Sequence, residues 1–162
     1  MSTKAAAVRI VEVGPRDGLQ NVSGFIPTTI KIELIARLRE AGLQTIELTS
    51  VVSAKAIPQL ADCQSVLSDP TVAALQKQQC LRLPVLIPNL KGLEIAVKHG
   101  VKEIAVFVSA TEGFSQANIN CSVQEGLRRA TKVATAAKLA GVAVRGCVEY
   151  THFPTQDRTD LL

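Results

Sequence analysis

The sequence predicts an α/β protein built around a parallel sheet, and three observations lead to this fold class. Short runs rich in Val and Ile alternate with segments of helical periodicity, at intervals of roughly 35 residues. Aromatic residues make up only 3% of the 162 residues while 47% are hydrophobic, so the core consists mainly of small aliphatic side chains. Polar side chains follow the ends of the apolar runs. This pattern is typical of parallel strands that helices cover.

Four consecutive βα units followed by a fifth strand account for most of the chain. The predicted strands are 8–13, 43–48, 82–87, 103–108 and 142–147, and the predicted helices are 30–40, 59–67, 90–99 and 122–139. We expect the first strand to be buried. Strict alternation of this kind implies parallel strands joined by right-handed helical crossovers.

Capping residues support the predicted helix boundaries. Thr28 or Thr29 is expected to cap the first helix and Gly42 to end it. The pair Asp69-Pro70 interrupts the second helix, and Asn89 is expected to cap the third rather than to bind a ligand. A capping box, Ser122-x-x-Glu125, begins the last helix. The stretch before it, with Asn118 and Asn120, is predicted to be a loop.

Two architectures fit this element order, a (β/α)8 barrel and an open doubly wound sheet. Neither GxGxxG nor GxxxxGK[ST] follows the first strand, which disfavours a nucleotide-binding sheet. In a barrel, functional side chains lie at the carboxyl ends of the strands. The polar residues that follow the predicted strands are Arg16, Asp17, Glu47, Ser50, Asn89, Ser109 and Glu112. Their distribution favours the barrel.

Charge and cysteine content exclude several classes of protein. The net charge of +4 is dispersed, with lysines such as Lys31 expected on solvated helix faces, so no basic stripe indicates nucleic-acid binding. The four cysteines are far apart and form no CxxC pair, which argues against a zinc or disulfide scaffold.

No apolar run reaches the ~20 residues of a membrane span. We therefore expect a soluble intracellular protein, cytoplasmic because no targeting signal is evident, with the mitochondrial matrix as an open alternative.

The turn Gly14-Pro15-Arg16-Asp17-Gly18 is the main candidate functional element. Arginine offers a rigid fork of donors to carboxylate or carbonyl oxygens, and aspartate offers hard oxygen to a divalent cation. Placed together at a strand end, Arg16 and Asp17 can hold an anion and a cation at one spot. The alternative interpretation is a polar surface turn that contains an Arg–Asp pair.

Five stretches resemble the 3-hydroxy-3-methylglutaryl-CoA (HMG-CoA) lyase family. They are VEVGPRDGLQN (11–21), AGLQTIELTS (41–50), LPVLIPNLKGLEIAV (83–97), KEIAVFVSATEGFSQANINCS (102–122) and VAVRG (142–146). The resemblance implies a (β/α)8 TIM barrel, of which the chain carries about four βα units plus a fifth parallel strand. On this basis residues 1–147 are the N-terminal part of a lyase-like barrel and residues 148–162 a divergent polar tail.

The resemblance implies metal-assisted cleavage of 3-hydroxy-3-methylglutaryl-CoA to acetyl-CoA and acetoacetate, a step of leucine catabolism and ketone-body formation. Arg16 would bind the substrate and stabilise its enolate or thioester, and Asp17 would be a ligand of Mg²⁺ or Mn²⁺. Glu47 would orient Arg16 or metal-bound water, and Gln20 would support the same turn and contact the substrate. Two alternatives stay open: Glu47 as a purely structural partner of Arg16, and Gln20 as a hydrogen bonder within the turn.

The sequence also departs from the family, which implies a second hypothesis. The family's His-x-His pair, its ligating Asn and its glycine-rich loop with a catalytic Cys have no counterpart, and the two histidines are His99 and His152. The alternative is therefore a catalytically inactive, truncated fragment that only binds acyl-CoA or a barrel partner. Because a half barrel leaves strand edges open, either hypothesis predicts self-association or a partner that covers them.

Overall fold

The structure, a computed structural model, describes residues 8–149, so all but the first two residues of the predicted tail lie outside it. Strands and helices alternate as predicted from residue 85 onwards, whereas the predicted strand 43–48 forms only isolated bridges and the predicted strand 82–87 is regular only at Val85–Leu86. The helices are α1 (Thr28–Glu40), α2 (Cys63–Ser68), α3 (Pro70–Leu75), α4 (Leu90–Lys98), α5 (Glu112–Ile119) and α6 (Val123–Leu139), and the strands are β1 (Val85–Leu86), β2 (Glu103–Ser109) and β3 (Ala143–Glu149).

The strands form a parallel sheet in the order β1-β2-β3. Ile104 of β2 pairs with Val85 of β1 on one side and with Val144 of β3 on the other. Two more extended segments continue the array through parallel bridges, Glu12 with Ile46 and Thr45 with Arg82. Five parallel segments thus follow one another in chain order without closing into a ring among the described residues. This confirms the predicted incomplete barrel.

The hydrophobic core lies between this array and its helices. Alternate residues of the extended segments, such as Ile46 and Ile104, are fully buried in it and pack with helix residues such as Val133 and Ala137. Fully burying a valine or isoleucine side chain contributes about 1.5–3 kcal/mol to the stability of the fold. Because successive residues of a strand point to opposite faces, the residues between them, Glu47 among them, face the barrel interior.

The prediction of a buried first strand is wrong, because this segment is largely exposed and pairs at one residue. Val8 and Ile10 are 90% and 75% exposed, and Glu12 alone makes a bridge. This segment is at the edge of the array, with one parallel neighbour among residues 8–149. Its apolar side chains therefore lack a surface to pack against on the other side.

Two details of α1 also differ from the prediction. Its N-cap is Pro27, which has no polar side chain to cap the helix, and Thr28 donates its hydroxyl to Oδ2 of Asp62 (2.6 Å). Lys31 is not on a solvated face: it is 3% exposed, and its ammonium donates to Oδ1 of Asp62 (2.5 Å) and to the carbonyl of Gln59 (2.6 Å). Tertiary packing of α1 against the segment before α2 accounts for both differences.

The stretch predicted as a loop before α6 contains a helix, α5. The hydroxyl of Thr111 accepts from the N–H of Phe114 at its start, and Asn120 ends it in a left-handed conformation (φ 49°). Asn118 is therefore helical. The helix packs on β2 and α6, and this packing outweighs the weak helix propensity of its Gly and Asn residues. The predicted helix 59–67 is shorter, because a 3₁₀ turn, Pro58–Leu60, precedes α2.

Three other boundary predictions are confirmed. Asp69-Pro70 separates α2 from α3. The N–H of Gly92 donates to Oδ1 of Asn89 (2.9 Å) at the start of α4, and the N–H of Glu125 donates to the hydroxyl of Ser122 (3.2 Å) at the start of α6. Within residues 8–149, none of the helices combines the length and the apolar character that crossing a membrane requires.

Candidate functional site

The predicted Arg–Asp turn is a single π-helical turn, Gly14–Gly18, at the end of the first extended segment. The carbonyl of Val13 accepts from the N–H groups of Asp17 (2.7 Å) and Arg16 (3.1 Å). The carboxylate of Glu12 accepts from the N–H of Gly14 (2.6 Å). Isolated π turns are rare and frequently occur at functional sites. This one directs Arg16 inward and leaves Asp17 exposed.

Two carboxylates hold the guanidinium of Arg16. Its Nε donates to Oε1 of Glu47 at 2.5 Å, and its Nη1 donates to Oδ1 of Asp17 at 2.7 Å. The side chain of Arg16 is 11% exposed. Among residues 8–149, its Nη2 has no hydrogen-bond partner and is not sealed away from solvent. A guanidinium fixed on one side thus presents a free donor on the other.

Glu47 is fully buried and binds a second guanidinium, that of Arg145 on β3. Nη2 of Arg145 donates to Oε2 of Glu47, while Arg16 occupies Oε1. The carboxylate therefore joins the second extended segment to the fifth across the barrel interior. A buried charge of this kind is tolerated because both of its oxygens are paired.

A row of three side chains on β3 faces this centre, because residues two apart in a strand share a face. After Arg145 come Cys147 and Glu149. Burial raises the pKa of the Cys147 thiol, and the positive charge of Arg145 only partly offsets it. Burial likewise raises the pKa of the Glu149 carboxyl, although nearby Arg16 lowers it. The site thus contains a carboxyl group that takes up a proton more readily than an ordinary glutamate.

The structure brings Arg16, Asp17 and Glu47 together. Gln20 follows on the same segment and is half-buried, but its side chain forms no hydrogen bond with these three in the described part of the chain. Ser50, another residue at a strand end, donates its hydroxyl to the carbonyl of Leu86 (3.1 Å).

Sequence reasoning missed the role of Arg145. The available signal was its position in the VAVRG stretch, inside a predicted strand whose alternate side chains face the barrel interior. Cys147 and Glu149 were missed because they lie at the limit of the recognised motifs.

The described residues do not by themselves build a metal centre. Between residues 8 and 149, no three His, Cys, Asp or Glu side chains come together in a way that could hold a metal ion. Asp17 has one carboxylate oxygen engaged by Arg16, and a divalent cation takes several oxygen ligands.

A second Arg–Glu–Arg cluster lies at the amino ends of the strands. Glu103, at the start of β2, accepts from both terminal nitrogens of Arg9 (2.6 and 3.0 Å) and from Nη1 of Arg82 (3.3 Å). Burial raises the pKa of Glu103, but the hydrogen bonds from Arg9 and Arg82 outweigh it, so the net pKa is lowered. This cluster resembles the Arg16–Glu47–Arg145 centre in composition and lies at the opposite end of the strands from the Arg–Asp turn.

The chain has parallel segments in chain order, crossover helices and a buried arginine–carboxylate centre at the carboxyl ends of the strands. These three features define it as a (β/α) barrel protein with an enzyme-like site. The HMGL-like family model matches residues 7–159. The chain belongs to the HMGL-like family.

Relatives and solved structures agree with this assignment. The chain is 54% identical to the mitochondrial hydroxymethylglutaryl-CoA lyase of Arabidopsis thaliana, over 87% of this chain and 29% of the relative. The hydroxymethylglutaryl-CoA lyase structure from Pseudomonas aeruginosa matches with a TM-score of 0.78 and 47% identity, over 87% of this chain and 45% of that one. An HMG-CoA lyase from Acinetobacter baumannii, in complex with coenzyme A and 3-methylmalate, matches with a TM-score of 0.78 and 32% identity, over 91% and 47% of the two chains. The chain thus spans less than half the length of these relatives.

Proposed function

We propose that this chain acts in the cleavage of 3-hydroxy-3-methylglutaryl-CoA to acetyl-CoA and acetoacetate. One observation carries the proposal: the buried guanidinium of Arg16 is held by Glu47 and Asp17, and its Nη2 donates to none of the residues that the structure describes. The names of the relatives and the coenzyme A bound in the Acinetobacter baumannii structure support this substrate class.

Arg16 supplies the stabilisation that this reaction needs. When the carbon–carbon bond breaks, its electron pair moves onto the acetyl thioester, and negative charge develops on the thioester oxygen. A donor that is already fixed in place stabilises this charge without reorganising at the moment of reaction. Glu47 and Asp17 hold Arg16 in that position, and Gln20 is proposed to contact the substrate from the same turn.

Asp17 is proposed as one carboxylate ligand of a divalent cation, Mg²⁺ or Mn²⁺. Its side chain is 52% exposed, and Oδ2 makes no ion pair with the described residues. The remaining ligands would come from outside residues 8–149, since that part of the chain contains no three-residue ligand group.

The same observation favours a second candidate function, the binding of an acyl-CoA without cleavage. Arg16 can bind a thioester or carboxylate oxygen without a metal ion, because its guanidinium is always charged. The compartment, cytoplasm or mitochondrial matrix, stays a prediction; the Arabidopsis thaliana relative is a mitochondrial protein by name.

Self-association, or a partner that covers the open barrel, is proposed alongside either function. Within the described residues, β3 pairs on one side only, and Val148 on it is 74% exposed. An unpaired strand edge is a template for pairing with another chain. Sedimentation velocity of the full chain tests this: we expect species larger than a monomer, and a monomer at all concentrations contradicts self-association.

The decisive experiment measures acetoacetate release and ligand binding with the purified full chain. The protein is incubated with 3-hydroxy-3-methylglutaryl-CoA and Mg²⁺ or Mn²⁺, and the same ligand is titrated by calorimetry. Arg16→Gln is compared with Arg37→Gln, which removes an exposed guanidinium from α1. Turnover that is lost only in Arg16→Gln supports the lyase function. Binding without turnover supports the second candidate, and an absence of binding overturns both.

A further inference from the structure

We infer that Arg145 is a positioning residue, which holds Arg16 in its working orientation by fixing the carboxylate of Glu47. The inference deepens the proposed function, and its kinetic test rests on that function. Arg145 and Arg16 share Glu47 as a common partner, one on each carboxylate oxygen.

The geometry gives Arg145 its effect through a single intermediate. No hydrogen bond or ion pair joins Arg145 to Arg16 or Asp17 within residues 8–149. Its contact with the site is the bond from Nη2 to Oε2 of Glu47. Nε of Arg145 is buried and has no partner in the described part of the chain. Arg145 therefore acts on the site through the carboxylate of Glu47.

The carboxylate of Glu47 needs this second contact to stay fixed. The terminal torsion of a glutamate is broad and has no sharp staggered minima, so a carboxylate held at one oxygen can turn. With Arg145 on Oε2, the plane of the carboxylate is set from both sides. Oε1 then accepts from Nε of Arg16 at 2.5 Å, and the orientation of Arg16 follows.

Burial makes the arrangement depend on Arg145 rather than on solvent. Glu47 is 0% exposed, so Oε2 has no contact with solvent while Arg145 is in place. Without Arg145, the carboxylate of Glu47 is free to turn about its terminal torsion. This rotation weakens the bond from Nε of Arg16 to Oε1 that orients the guanidinium.

The Arg9–Glu103–Arg82 cluster provides a matched control. There too a buried glutamate accepts from two arginines, but at the opposite ends of the strands. Arg82→Gln removes one guanidinium from Glu103 and leaves the other, as Arg145→Gln does for Glu47. Arg145→Lys serves as the conservative variant, since an ammonium still pairs with a carboxylate.

The first test needs no turnover and follows the Nε–H of Arg16 by NMR of protein labelled with ¹⁵N at arginine Nε. The signal is assigned by its absence in Arg16→Gln. We expect hydrogen exchange of this N–H to speed up by at least about tenfold in Arg145→Gln, as for a lost hydrogen bond to a charged group. Exchange should stay unchanged in Arg82→Gln and recover in part in Arg145→Lys. Circular dichroism confirms that each variant is folded.

The second test separates kcat from KM for cleavage of 3-hydroxy-3-methylglutaryl-CoA. Because Arg16 acts on charge that develops in the transition state, its misplacement lowers kcat by about 10- to 100-fold with little change in KM. Unchanged Nε–H exchange in a folded Arg145→Gln variant overturns the inference. An absence of turnover in the wild-type chain overturns the lyase function instead, while the NMR result still decides the role of Arg145.

Discussion

The buried carboxylate of Glu47 accepts a hydrogen bond from Nε of Arg16 at 2.5 Å, across 31 residues of chain. This contact joins the first extended segment to the second at the carboxyl ends of the parallel array. It aligns the guanidinium so that Nη1 reaches Asp17, while Nη2 has no partner between residues 8 and 149. The position of the candidate catalytic group is therefore set by a neighbouring segment and by its own turn together.

Glu47→Gln should lower the free energy of unfolding by about 3 kcal/mol or more, because two guanidiniums lose their shared buried anion. Urea denaturation at pH 7 measures the change. Glu33→Gln is the control, since it breaks an exposed pair with Arg37 that contributes about 0–1 kcal/mol. Equal losses in the two variants would contradict the central role of Glu47 in the fold.

Arg16→Lys should retain folding and lose most of the activity. The planar guanidinium of Arg16 contacts Glu47 and Asp17 at the same time and still presents a third nitrogen as a donor. A lysine ammonium is a single point charge and lacks this fork. We expect kcat to fall by about 10²- to 10³-fold, as for the loss of one preorganised donor to a developing oxyanion. Steady-state acetoacetate release gives the value, with Arg37→Lys as the matched control. A kcat within about twofold of wild type would exclude Arg16 from the reaction, since a lost donor costs far more.

Asp62→Ala should destabilise the protein by about 3–5 kcal/mol, because it leaves the buried ammonium of Lys31 without its counter-ion. Thermal unfolding followed by circular dichroism measures this loss. The double variant Lys31→Met/Asp62→Ala should recover much of the stability, since an apolar side chain of similar length fills the site. If the double variant is no more stable than Asp62→Ala, an unpaired charge is not the cause.

The Arg9–Glu103–Arg82 cluster makes stability depend on pH in the acidic range. The pKa of Glu103 is lower in the folded state than in the unfolded state. Its ionised carboxylate therefore stabilises the fold above the unfolded pKa of about 4.3, and this stabilisation is lost as the pH falls through the folded pKa. Glu103→Gln should therefore reduce the drop in unfolding free energy between about pH 6 and pH 3. Urea titrations across this range test it, with exposed Glu94→Gln as the control. An unchanged pH dependence in Glu103→Gln would contradict the prediction.

Asn89→Ala should lower the free energy of unfolding by about 1 kcal/mol, because the first turn of α4 loses the cap on the N–H of Gly92. Asn118→Ala is the control: Asn118 is exposed on α5, and within the described residues its side chain makes no hydrogen bond. Urea denaturation should show a lower free energy of unfolding for Asn89→Ala than for Asn118→Ala. Equal free energies of unfolding would mean that the cap contributes little.

Much of the fold could be predicted because it depends on local patterns. The alternation of apolar runs with helical segments predicted five parallel segments in chain order, and Asn89 and Ser122 marked the helix starts. The Arg16-Asp17 turn could be found because a Gly-Pro turn directly follows an apolar run. These features are determined by residues that are close in sequence.

Contacts between distant residues decided the rest. Sequence periodicity assigned Lys31 to solvent, but the packing of α1 places it against Asp62 and buries it. The sequence left the role of Glu47 open. The VAVRG stretch placed Arg145 in a strand, but nothing near it in the sequence indicated that it binds a carboxylate 98 residues away. The sequence by itself determined the order of the elements and the Arg–Asp turn. Only the tertiary structure decided which charges share a buried partner, because such pairing depends on strands that meet across the barrel rather than on neighbours in the chain.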